Sequence, residues 1–184
     1  IDVVERVYSC QIHTETLDPF NELRHDFSKD NNRQDMYIER VLGEFRKNAR
    51  KNERHNAIIT HVQDQLPITD EVTGKIFYPP ATYRNVAGGQ AWSRKGEQML
   101  SSWRPPEGVQ DKEMGGAFLK NQTRLFIQKS KPKGVGSIGF IDFIYDPKKH
   151  SYSEMGLNGN YLSDRSEIKK DVEDKYDYPK EWDM

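Results

Sequence analysis

The sequence places a strand, an amphipathic helix and a second strand in succession near its start. Residues 12–17 alternate like a strand and end at Asp18-Pro19, where proline stops ladder hydrogen bonding. From Gln34 the apolar side chains recur with a period of about 3.6 residues and form one stripe of Ile38, Val41, Leu42, Phe45 and Ala49. A short apolar run follows at 57–61. Strand, helix and strand predict a parallel βαβ unit with a right-handed crossover, and therefore an α/β fold.

The composition favours a modest core with long exposed segments. Of the 184 residues, 31% are charged and 34% are hydrophobic, which suits one domain, or one domain with a tail. The net charge of −1 excludes a globally basic nucleic-acid binder but permits a local basic strip. A single cysteine, Cys10, fits a reducing compartment, and no apolar run approaches the ~18 residues needed to cross a bilayer. We expect a cytoplasmic protein with no membrane partner, from which a preceding segment is missing.

Polar side chains follow both predicted strands, at the edge where open parallel sheets bind ligands. Asp18 can hold Mg²⁺ directly or through water, and Asn21 and Glu22 lie one turn further on. His61 ends the second strand, and with Gln63 it can sense a γ-phosphate or orient a nucleophile. The alternatives are that Asp18-Pro19 only begins a turn and that His61 makes a structural polar contact.

A long loop, 62–88, leads to Gly88-Gly89 and a short helix that we predict to run to about Gln98. Loops beyond about 15 residues are usually functional or disordered. A glycine pair before a helix exposes backbone N–H groups to an anion. Cations along this stretch can follow a single-stranded nucleic acid, and they are Lys75, Arg84, Arg94 and Lys95. Trp92 either joins this surface or belongs to the core.

A pair of lysines stands between two further strands. Apolar runs at 125–128 and 139–145 flank a glycine-rich stretch that contains Gly134 and Gly136, which predicts an antiparallel hairpin. Lys129 and Lys131, at i and i+2, leave the same face of the first strand. Such a pair suits a polyphosphate that reaches in from a neighbouring molecule. The alternative is that the lysines protect a sheet edge from aggregation.

Other segments complete the organisation predicted from the sequence. Residues 99–103 resemble a strand that Pro105-Pro106 stops, and 106–116 resemble a flexible insertion. Residues 161–184 lack periodicity and carry an acidic excess, which predicts a flexible tail after a domain formed by residues 1–160.

The order of these pieces is similar to the second half of a RecA-like motor. The series consists of Asp18-Pro-Phe-Asn-Glu22, the amphipathic helix, Ile58-Ile-Thr-His61, the long loop, Gly88-Gly-Gln-Ala-Trp92, a strand, Lys129-Ser-Lys131, Gly134-Val-Gly136 and Tyr152. It resembles the ring helicases, the family of DnaB, Twinkle and the phage primase–helicases, from about residue 11 to 153. The resemblance implies a RecA-like partial core whose parallel βαβ unit continues into an antiparallel C-terminal hairpin.

The resemblance also implies roles for individual residues. Asp18 takes the Walker B position and coordinates Mg²⁺, and His61 senses the γ-phosphate. The long loop and the Gly88-Gly89 stretch line a channel for single-stranded DNA. Lys129 and Lys131 replace a Lys-x-Arg pair that reaches the nucleotide of the next subunit. Lysine lacks the guanidinium fork, so activation between subunits would be weaker or differently arranged.

The implied whole protein is a replicative DNA helicase of a phage or other mobile element. We expect it to be a homo-oligomer, a hexamer when full length, that hydrolyses ATP or another NTP with Mg²⁺. No Gly-x-x-x-x-Gly-Lys-Ser/Thr sequence occurs in the 184 residues, so we expect this chain to have no ATPase activity by itself. One alternative is a non-catalytic module that binds nucleic acid or protein and keeps only the sheet. Another is a recombinase-type relative that forms filaments.

Overall fold

The computed structural model describes residues 2–9, 11–63, 65–131 and 136–155, which form a mixed α/β protein with two compact units. The first unit takes in the described residues of 1–67, 78–101 and 128–137, and the second those of 68–77, 102–127 and 138–184. The predicted tail, 161–184, lies outside the described residues. None of the described helices is long and apolar enough to cross a membrane.

The first unit contains the predicted βαβ arrangement. Its elements are α1 (Asp2–Tyr8), β1 (Thr14–Leu17), α2 (Gln34–Lys51), β2 (His55–Ile58), α3 (Gly89–Lys95) and 3₁₀ turns at Phe20–Glu22, Ser28–Asp30 and Tyr83–Asn85. β1 and β2 pair in parallel, with Thr14 opposite His55 and Leu17 opposite Ile58. The parallel pair and the start of α2 at Gln34 confirm the sequence prediction.

Both strands are shorter than predicted, and β2 ends at Ile58 instead of His61. The backbone of Phe20 donates to the carbonyl of Ile59, and the N–H of His61 donates to the side chain of Asn21. These contacts with the 3₁₀ turn replace further strand pairing, because each backbone group finds its partner there.

The apolar stripe of α2 faces the core of the first unit. The buried cluster consists of Phe20, Ile38, Leu42, Ala91 and Trp92. Trp92 meets Phe20 edge to face, with ring centroids 5.2 Å apart, and its indole N–H donates to the carbonyl of Ala87 at 2.9 Å. Trp92 is therefore a core residue, and it is not available to a ligand.

Helix α3 ends at Lys95, three residues before the predicted end at Gln98. The N–H of Gly96 donates to the carbonyl of Trp92, after which the backbone becomes extended. The ammonium group of Lys129 donates hydrogen bonds to the carbonyls of Ser93 and Gly96. A cation at a helix C-terminus satisfies carbonyls that have no partner within the helix.

The remaining strands form a hairpin and a four-stranded sheet. The hairpin pairs β3 (Ile68–Thr69) with β4 (Ile76–Phe77). The sheet contains β5 (Met99–Trp103), β6 (Gln122–Lys129), β7 (Gly139–Asp146) and β8 (Ser151–Glu154), in that order. β6 and β7 pair antiparallel, as do β7 and β8. The predicted antiparallel pair is confirmed as β6 and β7. Residues 130–138 connect these two strands, so the connection is longer than a tight turn. Its residues 132–135 lie outside the described residues.

Two segments predicted as irregular contain local structure. Loop 62–88 includes the β3–β4 hairpin, whose turn is closed by the carboxylate of Asp70 accepting from the N–H of Thr73 at 2.9 Å. Segment 106–116 forms a turn instead of a loose insertion: the N–H of Asp111 donates to the carbonyl of Gly116 at 2.9 Å, and Val109 is 1% exposed. Buried side chains and paired backbone groups hold both segments in place.

Candidate functional site

The carboxyl ends of β1 and β2 lie side by side because the strands are parallel and in register. The N–H of Ile59 donates to the carbonyl of Leu17 at 2.9 Å. One step further, the side-chain oxygen of Asn21 accepts from the hydroxyl of Thr60 at 2.7 Å and from the backbone N–H of His61 at 2.8 Å. The structure therefore brings Asn21 and His61 together at the edge where the sequence predicted a site.

The hydrogen bonds of Asn21 limit what its amide can do. A backbone N–H only donates, so the amide oxygen must face His61, and both of its lone pairs are used. This oxygen is not available to a metal ion unless these bonds break. The NH₂ group of Asn21 is left to donate, which suits an acceptor such as a phosphate oxygen.

Three other predicted residues at this edge are exposed, namely Asp18, Glu22 and His61. No group of three or more His, Cys, Asp or Glu side chains is placed to hold a metal ion anywhere in the described parts of the chain. Asp18 could thus contribute one carboxylate to Mg²⁺, with water and phosphate oxygens as the other ligands, which is the usual arrangement where Mg²⁺ binds with a nucleotide.

Gln63 and the glycine pair connect this edge to α3. The N–H of Gln63 donates to the carbonyl of Asn85 at 2.9 Å. Gly88 has φ 72°, and a Cβ there would lie 2.5 Å from Cδ1 of Ile38. A Cβ on Gly89 would lie 2.7 Å from the carbonyl oxygen of Tyr83. Both glycines are therefore required by close packing, whether or not an anion binds near them.

The four cations predicted to contact nucleic acid have different partners. In the first unit, Arg94 and Lys95 approach Glu39 at 3.9 Å and 3.3 Å, and exposed Arg84 stands over the ring of Tyr83 at 5.8 Å. Lys75 belongs to the second unit, where its ammonium group donates to the carbonyl of Glu107. Of these four cations, Arg84 is the one for which the structure describes a contact with an aromatic ring and no contact with a carboxylate or a carbonyl.

The two lysines of the predicted pair differ in their surroundings. Lys129 is the last residue of β6, is partly buried and donates to the carbonyl of Gly96 at 2.7 Å. Burial, followed by the positive charges of Lys131 and Arg46, lowers the pKa of Lys129. Lys131 lies beyond the end of β6 and is exposed. Lys129 is thus committed to the end of α3, whereas the charge of Lys131 faces solvent.

Two arginines that the sequence analysis did not single out accompany these lysines. Arg46 and Arg50, one turn apart on α2, both donate to the same carboxylate oxygen of Glu97, at 3.1 Å and 3.0 Å. We call Arg46, Arg50, Lys129 and Lys131 the cation patch. The i, i+4 spacing of the arginines was visible in the sequence, but Glu97 lies about 50 positions away and gave no signal.

The second unit contains a buried ionic cluster that the sequence analysis also missed. Arg124 is 1% exposed and pairs with Asp111 at 2.5 Å and with Asp142 at 2.6 Å. The rings of Phe118 and Phe140 lie 5.0 Å and 3.9 Å from its guanidinium carbon. Burial alone would lower the pKa of Arg124, but its hydrogen bonds with the two carboxylates outweigh burial and raise it. We call these three charged residues the arginine clamp.

Comparison with models of known protein families finds no match, and a search of curated proteins finds none either.

Proposed function

We propose that this chain is the carboxy-terminal part of an NTP-dependent, RecA-like ring helicase and supplies half of a nucleotide site. The observation that carries the proposal is the contact of Asn21 with Thr60 and His61 at the carboxyl ends of two parallel strands. This edge is where α/β proteins with open parallel sheets bind nucleotides.

Each residue at the edge has a role that its surroundings allow. The exposed ring of His61 donates to the γ-phosphate, and the NH₂ group of Asn21 donates to a second phosphate oxygen. Asp18 holds Mg²⁺ through its single carboxylate, partly by way of water. The phosphate cradle comes from a segment outside these 184 residues, because a Walker A sequence is absent from them.

The direction of α2 supports a site that is shared between two copies of the chain. Near its start, Tyr37 contacts the ring of His25, which in turn packs on Phe20 beside the carboxyl end of β1. Further along, the carbonyl of Phe45 accepts from the side chain of Asn56 in β2. From Gln34 to residue 46 the helix advances about 18 Å at 1.5 Å per residue. The cation patch is thus remote from His61 of its own copy and can serve the nucleotide of a neighbour, as in a ring of six.

A non-catalytic binding module is the second candidate, and one observation favours it. Lys129 already has partners at the end of α3, which leaves one exposed lysine instead of a pair. A protein that has this sheet but does not hydrolyse NTP would use the exposed cations to bind single-stranded DNA or an acidic partner. Such a protein would bind without turnover of nucleotide.

The test uses the full product of the gene, including any coding sequence before Ile1. We expect ATP hydrolysis stimulated by single-stranded DNA, and none from the 184-residue chain alone. His61→Ala and Lys131→Ala should each abolish turnover, and Lys131→Ala should leave nucleotide binding unchanged. Lys51→Ala, an exposed cation at the end of α2, is the matched control. Hydrolysis by the chain alone, or none by the full product, would overturn the proposal.

A further inference from the structure

Strands β6 and β7 carry apolar residues on both sides of their sheet. Residues that are opposite each other in the register point to the same side. On one side Arg124 lies opposite Asp142, and the arginine clamp forms there. The other side, together with one residue of β8, we call the tyrosine face, and it consists of Leu125, Ile127, Ile141, Phe143, Tyr145 and Tyr152. Strands that are apolar on both faces are typical of sheets that are covered on both faces.

The tyrosine face is covered only in part. Its five members on β6 and β7 are partly exposed, and Tyr152 on β8 is 52% exposed. The ring centroid of Tyr152 lies 5.0 Å from that of Tyr145 and 6.4 Å from that of Phe143. A contiguous surface of aromatic and aliphatic side chains marks a place where another segment binds.

The described part of the chain ends beside this face. Glu154, the last residue of β8, lies opposite Phe143, and the N–H of Met155 donates to the carbonyl of Asp142 at 2.8 Å. Residues 156–184 follow, and they lie outside the described residues. Crossing three strands that are about 4.8 Å apart requires about 10 Å, which an extended chain covers in about three residues. The length of segment 156–184 therefore does not limit its reach across the tyrosine face.

We propose that segment 156–184 docks on the tyrosine face of its own chain and covers it. The aromatic side chains that the segment supplies for this contact are Tyr161, Tyr176, Tyr178 and Trp182. This inference does not depend on the nucleotide site of the proposed function.

The charge of the segment suits the surroundings of the face. Segment 156–184 contains eight acidic and five basic residues. Exposed Arg104 donates to the hydroxyl of Tyr152 at 3.3 Å, and exposed Lys148 and Lys149 lie in the turn between β7 and β8. Charge complementarity therefore favours an acidic segment over a basic one at this place.

Attachment to β8 favours this segment over a separate partner. A segment that is joined by a short flexible linker is present at an effective concentration of about 1 mM near its site. A dissociation constant of about 0.5 mM then covers the face in about two thirds of the molecules. A separate partner at about 1 μM would need an affinity roughly a thousandfold higher to reach the same occupancy.

Hydroxyl-radical footprinting of the 184-residue chain at two protein concentrations tests the proposal. Mass spectrometry measures the oxidation of Tyr145 and Tyr152. In the variant Tyr176→Ser/Tyr178→Ser/Trp182→Ser we expect this oxidation to rise about threefold, because the uncovered fraction increases from about one third to nearly all molecules.

The matched control is Lys170→Ser/Lys175→Ser/Lys180→Ser, which changes three residues of the same segment but keeps its aromatic side chains. It should not raise the oxidation of the tyrosine face. Oxidation of Phe126, on the opposite side of the sheet, should be the same in both variants as in the unaltered chain. An increase at Phe126 would mean that the sheet has opened, and the exchange measurement on the unaltered chain then decides.

That second measurement is backbone hydrogen exchange, which needs no substitution. The amides of 176–182 should exchange about threefold more slowly than in an unstructured peptide. Exchange at the unstructured rate throughout 156–184 would overturn the inference. Equal oxidation of Tyr145 and Tyr152 in the aromatic variant and the unaltered chain would overturn it too. Oxidation that falls with rising protein concentration in both of them would identify a second copy as the occupant instead of the segment.

Discussion

The arginine clamp of the second unit and the cation patch of the first unit hold arginine in opposite ways. In the second unit, the arginine clamp surrounds one buried guanidinium, Arg124, with two carboxylates and two aromatic rings. In the first unit, two arginines share the single carboxylate of Glu97, with 36% and 65% of their side chains exposed. The clamp provides two carboxylates for one guanidinium group, whereas in the cation patch one carboxylate pairs with two guanidinium groups.

The difference between the two clusters follows from their burial. A buried charge must be fully paired, because the protein interior does not solvate it. Exposed cations can remain in excess, since water solvates them until a ligand takes its place. The number of carboxylates that accompany each cation therefore rises with burial in these two clusters.

The largest expected effect on stability comes from removing the guanidinium group of Arg124 from the clamp. Arg124→Met should destabilise the protein by about 3–5 kcal/mol, because the carboxylates of Asp111 and Asp142 would lose the cation that pairs with both of them. Urea unfolding followed by tryptophan fluorescence, to which Trp103 of the second unit contributes, measures the loss. Arg124→Lys, which keeps one positive charge, should recover part of it. A loss below 1 kcal/mol for Arg124→Met would contradict the structural role of the clamp.

The pH dependence of stability provides a second test of the arginine clamp, through the carboxylate of Asp111. Burial by itself would raise the pKa of Asp111, but hydrogen bonds from Arg124 and from the backbone of Glu113 and Met114 outweigh it and lower the pKa. The unfolded state therefore binds a proton first, near pH 3.9. The contribution of Asp111 is present above that value and is lost as the pH falls through the folded pKa. We expect the stability gap between the native protein and Asp111→Asn to be about 2 kcal/mol at pH 7 and to shrink below pH 4. A gap that stays constant to pH 2.5 would refute this assignment.

A glycine exchange tests the packing at the start of α3. Gly89→Ala should cost about 1–3 kcal/mol, since the new methyl group would lie 2.7 Å from a backbone carbonyl that cannot move freely. Gly43→Ala, in the middle of α2 with no atom within 4 Å of its Cβ, should instead stabilise by about 0.5–1 kcal/mol. Thermal unfolding gives both values. Stabilisation by Gly89→Ala would contradict the conclusion that close packing requires a glycine at this position.

The elements with a strong local pattern were predictable. The 3.6-residue stripe gave α2, and the strand–helix–strand order gave the parallel β1–β2 pair. A turn signal was present but overlooked in 62–88: Asp70 and Thr73-Gly74 stand between Ile68 and Ile76, and they form the β3–β4 turn.

The ionic arrangements were not predictable, because their members are distant in sequence. Asp111 and Asp142 lie 13 and 18 positions from Arg124, without any period that would connect them. The capping of α3 by Lys129 likewise depends on the end of β6 reaching Gly96, 33 positions earlier. Of the predicted edge site, the sequence placed Asn21 and His61 after two neighbouring strands, but it did not show that β2 ends at Ile58 or that the side chain of Asn21 accepts from the N–H of His61.

The smallest expected effects distinguish the two lysines of the patch. Lys129→Met should destabilise by about 1 kcal/mol, because two carbonyls at the end of α3 lose their donor. Lys131→Met should change stability by less than about 0.5 kcal/mol, as expected for an exposed side chain. The midpoints of chemical unfolding of the two variants, measured side by side, provide the comparison. Equal losses would mean that both lysines are structural.

The central claim is that His61 and the cation patch serve nucleotides in different copies of the chain, and mixing two inactive full-length variants tests it most directly. His61→Ala and Lys131→Ala subunits, assembled together in equal amounts, should regain DNA-stimulated ATP turnover, because about a quarter of the subunit interfaces would contain both intact residues. Each variant assembled alone should stay inactive. No recovery in assemblies that demonstrably contain both variants would contradict a site shared between copies.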